Sequence, residues 1–393
     1  MRLYDNSHPS FLEFSEALVS APPNIGETIQ RVLDRRQEFG ISRLGSITGL
    51  DRIGIAVAQA VRPDARSVVV SQGSGLTVEQ AAISALMEGI ENWAAEHVSR
   101  ERVRSVTVRN CPDADMWADL WALMPEGCDL EPLGWIDGWD ILSSRKCSVP
   151  LALVDACYTL PSPHAPWLPR NTTGLAAGAN VLQAVRHACL EILERDARCW
   201  ALGKPHFFDR YQVETASLVR GAPGKILARL RQSGMETGVW SIPSAHGLPI
   251  YWCHVMEGER QMELAPLPAE GFACGLSNDE ALSKALLEAC RSRLTAMAGA
   301  REDVTIDLYR GSFDRHQLAS WRKQLGARGS PLPPDPIPVS RPEIDVIIDA
   351  LRSAGATAVV VVPLFVDQSI PAAVVRVVAP PLRTSPEELG HGM

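Results

Sequence analysis

The chain has 393 residues, 46% of them apolar and 21% charged, with a net charge of −8. That length and composition describe a soluble globular protein with ample core. The acidic balance excludes binding of nucleic acid or an anionic membrane through bulk charge.

No apolar run approaches the roughly 18–20 residues of a membrane helix. The opening MRLYDNSHPSFLEF has no apolar signal core, so no membrane attachment and a cytoplasmic location are expected. Nine cysteines run from Cys111 to Cys290 without a CxxC pair, which reads as free thiols. Cys253 and His254 are neighbours, and in a strand they point to opposite faces, so they do not share a metal.

In chain order, residues 1–24 carry little regular pattern. Thr28 to Gln37 predicts a polar surface helix closed by Gly40. Ile53 to Ala58 and Ser67 to Ser71 predict strands, and Gly73-Ser74-Gly75 a turn into a long helix from Thr77. Cys147 to Tyr158 predicts a strand, followed by the proline-rich LPSPHAPWLPR and a second long helix from Asn180 to about Leu202. Residues 223–257 read as helix, strand, hairpin, strand, and GFACG precedes a third long helix from Ser277 to about Ala300. Residues 329–342 (GSPLPPDPIPVSRP) hold too much proline for helix or central strand and form a linker or a surface-hugging loop. A helix from Glu343 to Ser353 and two strands, Thr357 to Phe365 and Ala372 to Val378, complete the pattern. These strands are apolar on both faces, as in a buried sheet.

The three long helices share one plan. Thr77, Asn180 and Ser277 are each followed three residues later by Gln80, Gln183 and Glu280, the spacing of a capping box. Seven residues from the cap stand Ser84, His187 and Lys284, and eleven residues on stand Glu88, Glu191 and Glu288. Fourteen residues on stand Glu91, Glu194 and Arg291. At about 100° per residue these offsets fall on one stripe of each helix. The other positions are mostly small or apolar, so the helices are buried and each carries one polar line. Buried carboxylates need compensation, either from Arg195, Lys284, Arg291 and Arg293 or from a bound divalent cation. Magnesium bridges carboxylates to nucleotide phosphates. The period of about 100 residues is a duplicated structural unit.

These segments resemble the YcaO family. The matching text is SALMEGIE (Ser84 to Glu91), NTTGLAAG with LEILERDA (Asn171 to Ala197), the third helix ALSKALLEACRSRLTAMAGAREDV, and ITGLDRIGIAVAQAVRP (Ile47 to Pro63). The resemblance implies an α/β, YcaO-like fold with internally repeated long buried helices packed on β-sheets around a central ATP–Mg2+ site. It divides the chain into an N-terminal extension (1–27), a catalytic domain (28–381, with the loop 329–342 inside it) and a C-terminal tail (382–393). Carried over by position, Glu191, Glu288 and Arg195 take catalytic roles. Thr28, Ser84, Gln183, His187, Lys284, Arg291 and Arg293 take ATP, and Glu88, Glu91, Glu191, Glu194 and Glu288 take magnesium. Asn92, Ser74, Gln183, His187 and Lys284 depart from the residues usual in the family.

The activity the resemblance implies is ATP-dependent phosphorylation of a peptide backbone amide oxygen after a nucleophile adds to its carbon. The products are thioamides, azolines or amidines. The ending ELGHGM, without an alternating-proline tail, and the lack of a domain ahead of the match favour thioamide formation over azoline formation. The closest likeness is to members that act with a TfuA-type partner. A precursor peptide, a TfuA-like or leader-binding partner and a sulfur donor are therefore expected, and a homodimer is compatible with the pattern. The rival from another class is a non-catalytic peptide-binding scaffold. Cys189 and Cys199 as sulfur carriers and His254 as a base are weaker readings than core packing.

Overall fold

The computed structural model describes residues 24–383, apart from 217, 260–267, 303, 305, 307–308, 310–313 and 337–340. The elements run α1 (Ile25–Asp34), β1 (Arg43–Ser46), β2 (Ala56–Val61), β3 (Val70–Gly75), α2 (Val78–Glu96), β4 (Val103–Thr107), α3 (Ala118–Trp121), β5 (Pro132–Asp140) and β6 (Arg145–Pro150). They continue with β7 (Leu175–Gly178), α4 (Val181–Leu202), α5 (Phe207–Arg210), α6 (Gly221–Gln232), β8 (Met235–Ser241), β9 (Ile250–Glu257), β10 (Ala269–Cys274) and α7 (Asn278–Ala298). The last are α8 (Arg315–Leu325), α9 (Glu343–Ala354), β11 (Val360–Asp367) and β12 (Ala372–Val378).

Three antiparallel sheets result: β1-β2-β3, β10-β9-β8, and a six-stranded sheet ordered β4-β5-β11-β12-β7 with β6 on β5. Val360, Val361, Val374 and Val375 are fully buried, as strands apolar on both faces require. The α/β class expected from the pattern is therefore present, with its strands paired antiparallel.

Each long helix follows a strand that ends two residues before the cap or close to it. Glycine stands at that point in all three units: Gly75, Gly178 and Gly275. A Cβ on Gly178 would lie 2.5 Å from the backbone nitrogen of Ala184, and one on Gly275 would lie 2.9 Å from that of Ala281. The strand end thus lies directly on the first turn of its helix, where glycine fits without displacing backbone. For the same reason Gly73 belongs to β3 and not to a turn: its Cβ would meet Ala85 N at 2.2 Å.

The caps form as the spacing predicts. Gln80, Gln183 and Glu280 donate their backbone N–H to Thr77, Asn180 and Ser277 at 3.3, 2.9 and 3.2 Å. Their side chains reach back to the amides of Leu76, Ala179 and Leu276 at 2.9, 2.7 and 3.0 Å.

The three units close into a ring. α2 packs on β3 and also touches β7, α4 packs on β7 and touches β10, and α7 packs on β10 and touches β3. Apolar residues of each helix fill the space between it and the sheets: Ala81, Leu86 and Ile90 in α2, Val185 and Leu193 in α4, Leu282 and Leu286 in α7.

Local boundaries shift by a few residues. The first helix starts at Ile25 because Asn24 caps it, accepting the Gly26 N–H at 3.0 Å. The strand expected through Tyr158 stops at Pro150, which brings no N–H to the ladder, and a single 3-10 turn (Leu151–Leu153) follows. The proline-rich segment hugs the surface: Pro333 O and Asp335 Oδ1 accept from Asn278 at 2.9 and 2.7 Å, at the start of α7. Most of the expected N-terminal extension and C-terminal tail, residues 1–23 and 384–393, lies outside the described residues.

Candidate active site

The glutamates eleven residues from each cap make the same contact. Glu88, Glu191 and Glu288 each accept a backbone N–H from the preceding strand or its approach, from Gln72 (3.0 Å), Gly174 (3.1 Å) and Phe272 (3.0 Å). The residues fourteen from the cap reach across to the next unit. Glu91 Oε2 accepts the Ala177 N–H at 2.8 Å, and the Cys274 amide favours the charged form of Glu194. Arg291 completes the circuit, donating to the Gln72 carbonyl at 3.3 Å.

A cavity of about 770 Å3 opens between α2 and α4. Thr28, Ser84, Glu88, Glu91, Gln183, His187, Glu191, Arg195 and Arg291 all line it. A smaller chamber of about 310 Å3 adjoins it, where Ser84, His187 and Lys284, the three residues seven from the caps, face one another with Glu191, Glu194, Glu288 and Arg291. The polar stripes of three helices therefore converge.

The carboxylates are sunk but reachable. The side chains of Glu88, Glu191 and Glu288 keep 27%, 27% and 24% of their exposure, whereas Glu194 keeps 10%. Dense protein behind them still dominates their titration. Burial pushes Glu88 and Glu191 above the ordinary carboxylate range against the pull of Arg291 and Arg195. Glu91 is pushed further, by burial and then by Glu88 and Glu191. Glu194 rises to about 8, through burial opposed by Arg195 and reinforced by Glu288 and Glu191. Burial works against the charge of Arg195, but Glu194, Glu191 and Glu288 together outweigh it and hold the guanidinium firmly protonated.

His187 Nδ1–H donates to the Ala177 carbonyl at 3.1 Å. A carbonyl only accepts, so Nδ1 carries the proton and Nε2 is left as an acceptor. Burial, and then Lys284, lower its pKa to about 4, which keeps the ring neutral near neutral pH. Lys284 is bound to Glu280 at 2.8 Å at the mouth of the smaller chamber. Gln183 gives its side-chain oxygen to the cap and presents its NH2 group as the remaining donor.

One expected site residue lies elsewhere. Arg293 is 1% exposed and forms ion pairs with Asp51 (2.8 Å) and Glu257 on the far side of α7. Sixteen residues from the cap is a rotation of about 160°, so it faces away from the stripe. His254 is likewise remote, packed among Phe208, Trp240, Trp252 and Trp321 with its pKa lowered to about 3 by burial. Cys189 is fully buried with its thiol pushed up to about 12 by burial, and Cys199 is buried too.

The structure also gives a place to Asn92, named above only as a departure from the family's usual residue, and brings in two arginines not foreseen. Asn92 lines the cavity and donates to Ser71 at 3.3 Å. Arg301, just beyond α7, lines the cavity and acts on Glu88. Arg376 stands in the otherwise apolar β12, and its Nη2 donates to Asn171 O at 2.8 Å. Burial lowers its pKa to about 10, and Glu191 and Glu91 are among the groups that hold its charge. A lone arginine in AAVVRVV was the available signal, because a charge in a doubly buried strand must have partners.

Fold and cavity thus define an α/β protein whose converging helices gather acidic and basic side chains around one pocket. A family model described as YcaO cyclodehydratase, ATP- and Mg2+-binding, matches residues 72–383. A protein in the tfuA 3′ region of Rhizobium leguminosarum bv. trifolii is 30% identical over 91% of this chain and 87% of its own length. One from Methanothermobacter thermautotrophicus is 28% identical over 93% and 96%. The YcaO structure from Methanopyrus kandleri bound with AMPPCP and Mg2+ shares the fold, with a TM-score of 0.68, 22% identity and 93% of each chain covered. A heterocyclase in complex with substrate and cofactor shares it with a TM-score of 0.67 and 18% identity, over 91% of this chain and 52% of that one. The chain belongs to the YcaO family, and its cofactors are ATP and Mg2+.

The residues present fit that pair. The cavity has the volume of a small-molecule site. Glu88, Glu91 and Glu191 share its walls with the guanidiniums of Arg195, Arg291 and Arg301, and Glu194 and Glu288 line the adjoining chamber, a mixture suited to a metal-bound polyphosphate. Glu194 Oε1 is buried without a hydrogen bond, although Arg195 Nη2 stands 3.5 Å away. Among the described residues no three acidic, His or Cys side chains already form a metal cage. Magnesium keeps water and phosphate oxygens as ligands and takes one or two carboxylates. Among the described residues no helix is long and apolar enough to cross a membrane.

Proposed function

We propose that this chain activates a peptide backbone amide by phosphorylating its oxygen and exchanges that oxygen for sulfur, giving a thioamide. YcaO enzymes are ATP-dependent peptide-modifying enzymes. The observation that carries the thioamide reading is the 30% identity to a protein of a tfuA 3′ region. It also supports a TfuA-like protein as partner. The substrate is a ribosomally made precursor peptide, with a separate sulfur donor.

When bound, ATP with Mg2+ supplies the phosphoryl group that makes the amide oxygen a leaving group. The chain's own residues position and neutralise. Glu88, Glu91, Glu191, Glu194 and Glu288 hold magnesium. Arg195 and Arg291, with Thr28, Ser84, Gln183 and Lys284, face the nucleotide. Glu191, Glu288 and Arg195 take the catalytic roles in this reading. His187, neutral with Nε2 unprotonated, offers an acceptor at the junction of the two chambers. The carboxylate circuit keeps the helices in register, so the acids are in place before ligand arrives.

The test is mass spectrometry of a precursor peptide incubated with the chain, a TfuA-like protein, ATP, Mg2+ and sulfide. The expected product has gained the mass of one oxygen-to-sulfur exchange. Loss of one water would make the chain an azoline-forming enzyme instead. No ATP turnover and no effect of Glu88→Ala or Glu191→Ala on nucleotide binding would leave the scaffold reading.

A further inference from the structure

The ring has three joints, alike in two places and different in the third. At the joint of α2 with β7, Glu91 bonds the Ala177 amide and has Glu88 and Glu191 as acidic neighbours. At the joint of α4 with β10, Glu194 shares a chamber with Cys274, Glu191 and Glu288, and both carboxylates act on its charge. At each of these joints two further carboxylates act on the one that stands fourteen residues from the cap.

At the joint of α7 with β3, the equivalent position is Arg291. Its Nη1 donates to the Gln72 carbonyl at 3.3 Å and lies 3.9 Å from Glu88 Oε2, and its Nη2 lies 3.4 Å from Glu288 Oε1. The Gln72 N–H goes to Glu88 (3.0 Å), and the Gln72 side chain is bonded by Thr295, one turn beyond Arg291. This joint therefore holds two carboxylates with a fixed guanidinium between them. Arg301 adds a further positive charge near Glu88.

We infer that Arg291 is a built-in cation, which supplies at this joint the charge that a divalent ion supplies at the other two and so keeps a metal ion out of it. The physical reason is competition. A guanidinium already bonded to the backbone of the next unit neutralises Glu88 and Glu288 without losing mobile water or ions. A divalent ion entering beside it meets a like charge at close range. The position also sets direction. Glu91 accepts from an amide of the next unit, whereas Arg291 donates to a carbonyl, so the ring closes with one link of opposite sense. The inference rests on the reading of the two acidic joints as magnesium sites.

The experiment counts divalent ions on the full-length chain with Mn2+ alone, by electron paramagnetic resonance of the free ion. Wild type, Arg291→Gln and Arg291→Glu are compared. Binding of Mn2+ to wild type tests the magnesium reading, and the difference between variants tests Arg291. Arg291→Glu restores the three-carboxylate pattern and is expected to bind one more Mn2+ per chain than wild type. An equal count overturns the inference. If Arg291→Glu does not fold without metal, Arg291→Gln decides. Its melting temperature is expected to gain more from added Mn2+ than that of wild type, and an equal gain overturns the inference.

Discussion

Glu91 Oε2 accepts the backbone N–H of Ala177 at 2.8 Å, so an acidic side chain of the first unit is tied to the strand of the second. The bond is structural, yet the same carboxylate is one that burial, Glu88 and Glu191 all disfavour in its charged form. Glu91→Gln keeps an acceptor for Ala177 and removes the charge. The metal-free variant is expected to melt no lower than wild type, while calorimetry with ATP and Mg2+ shows binding weakened by about tenfold or more, ~1.4 kcal/mol. Glu91→Ala leaves the Ala177 amide without this acceptor and is expected to cost about 1–3 kcal/mol of stability as well.

The same cluster makes the metal-free protein sensitive to pH. The folded-state pKa of Glu194 lies at about 8, above the ordinary 4.5. Between those values the folded chain keeps a proton that the unfolded chain has released. The stabilisation is complete below the lower value and is lost as pH rises through the upper one. Glu88, Glu91 and Glu191 are shifted the same way. Melting temperatures taken in chelator are expected to fall across this window, with a slope for Glu194 of at most about 1.4 kcal/mol per pH unit. Glu194→Gln flattens the profile, and Mg2+ opposes the fall at its alkaline end.

Arg293 separates stability from ligand binding. It is enclosed with Asp51 and Glu257, and Arg52 also bonds Glu257 at 2.8 Å. Arg293→Met strips two buried carboxylates of this partner and is expected to cost roughly 3–5 kcal/mol. Urea titration measures that loss. Nucleotide affinity of the folded fraction is expected to stay within about twofold of wild type, a difference below ~0.5 kcal/mol.

Gly178→Ala tests the close approach of strand to helix. The new methyl would stand 2.5 Å from Ala184 N and 3.0 Å from the Gln183 carbonyl carbon, so backbone must move. A loss of about 1–3 kcal/mol is expected in denaturant unfolding. The strand end also positions Ala177, which serves both Glu91 and His187, so ATP binding weakens with it.

Much of the site was legible in residue order because its determinants are local. A cap, a residue three later and a rotation of about 100° per step set which side chains share a stripe. Hence Glu88, Glu191 and Glu288 could be named as equivalents, and each makes the same bond to backbone. The same arithmetic, carried to offset sixteen, would have turned Arg293 away from the site.

Which unit follows which around the ring is set by tertiary packing. No local rule tells Glu91 to bond Ala177, or Arg291 to reach back more than two hundred residues to Gln72. Those links depend on sheets assembled from distant strands, as when β12 carries Arg376 toward Glu191 and Glu91. Helix caps and stripes are settled by bonds spanning a few residues. Ring closure is settled by the packing of Gly75, Gly178 and Gly275 under their helices and by the burial of charge that only the assembled ring can compensate.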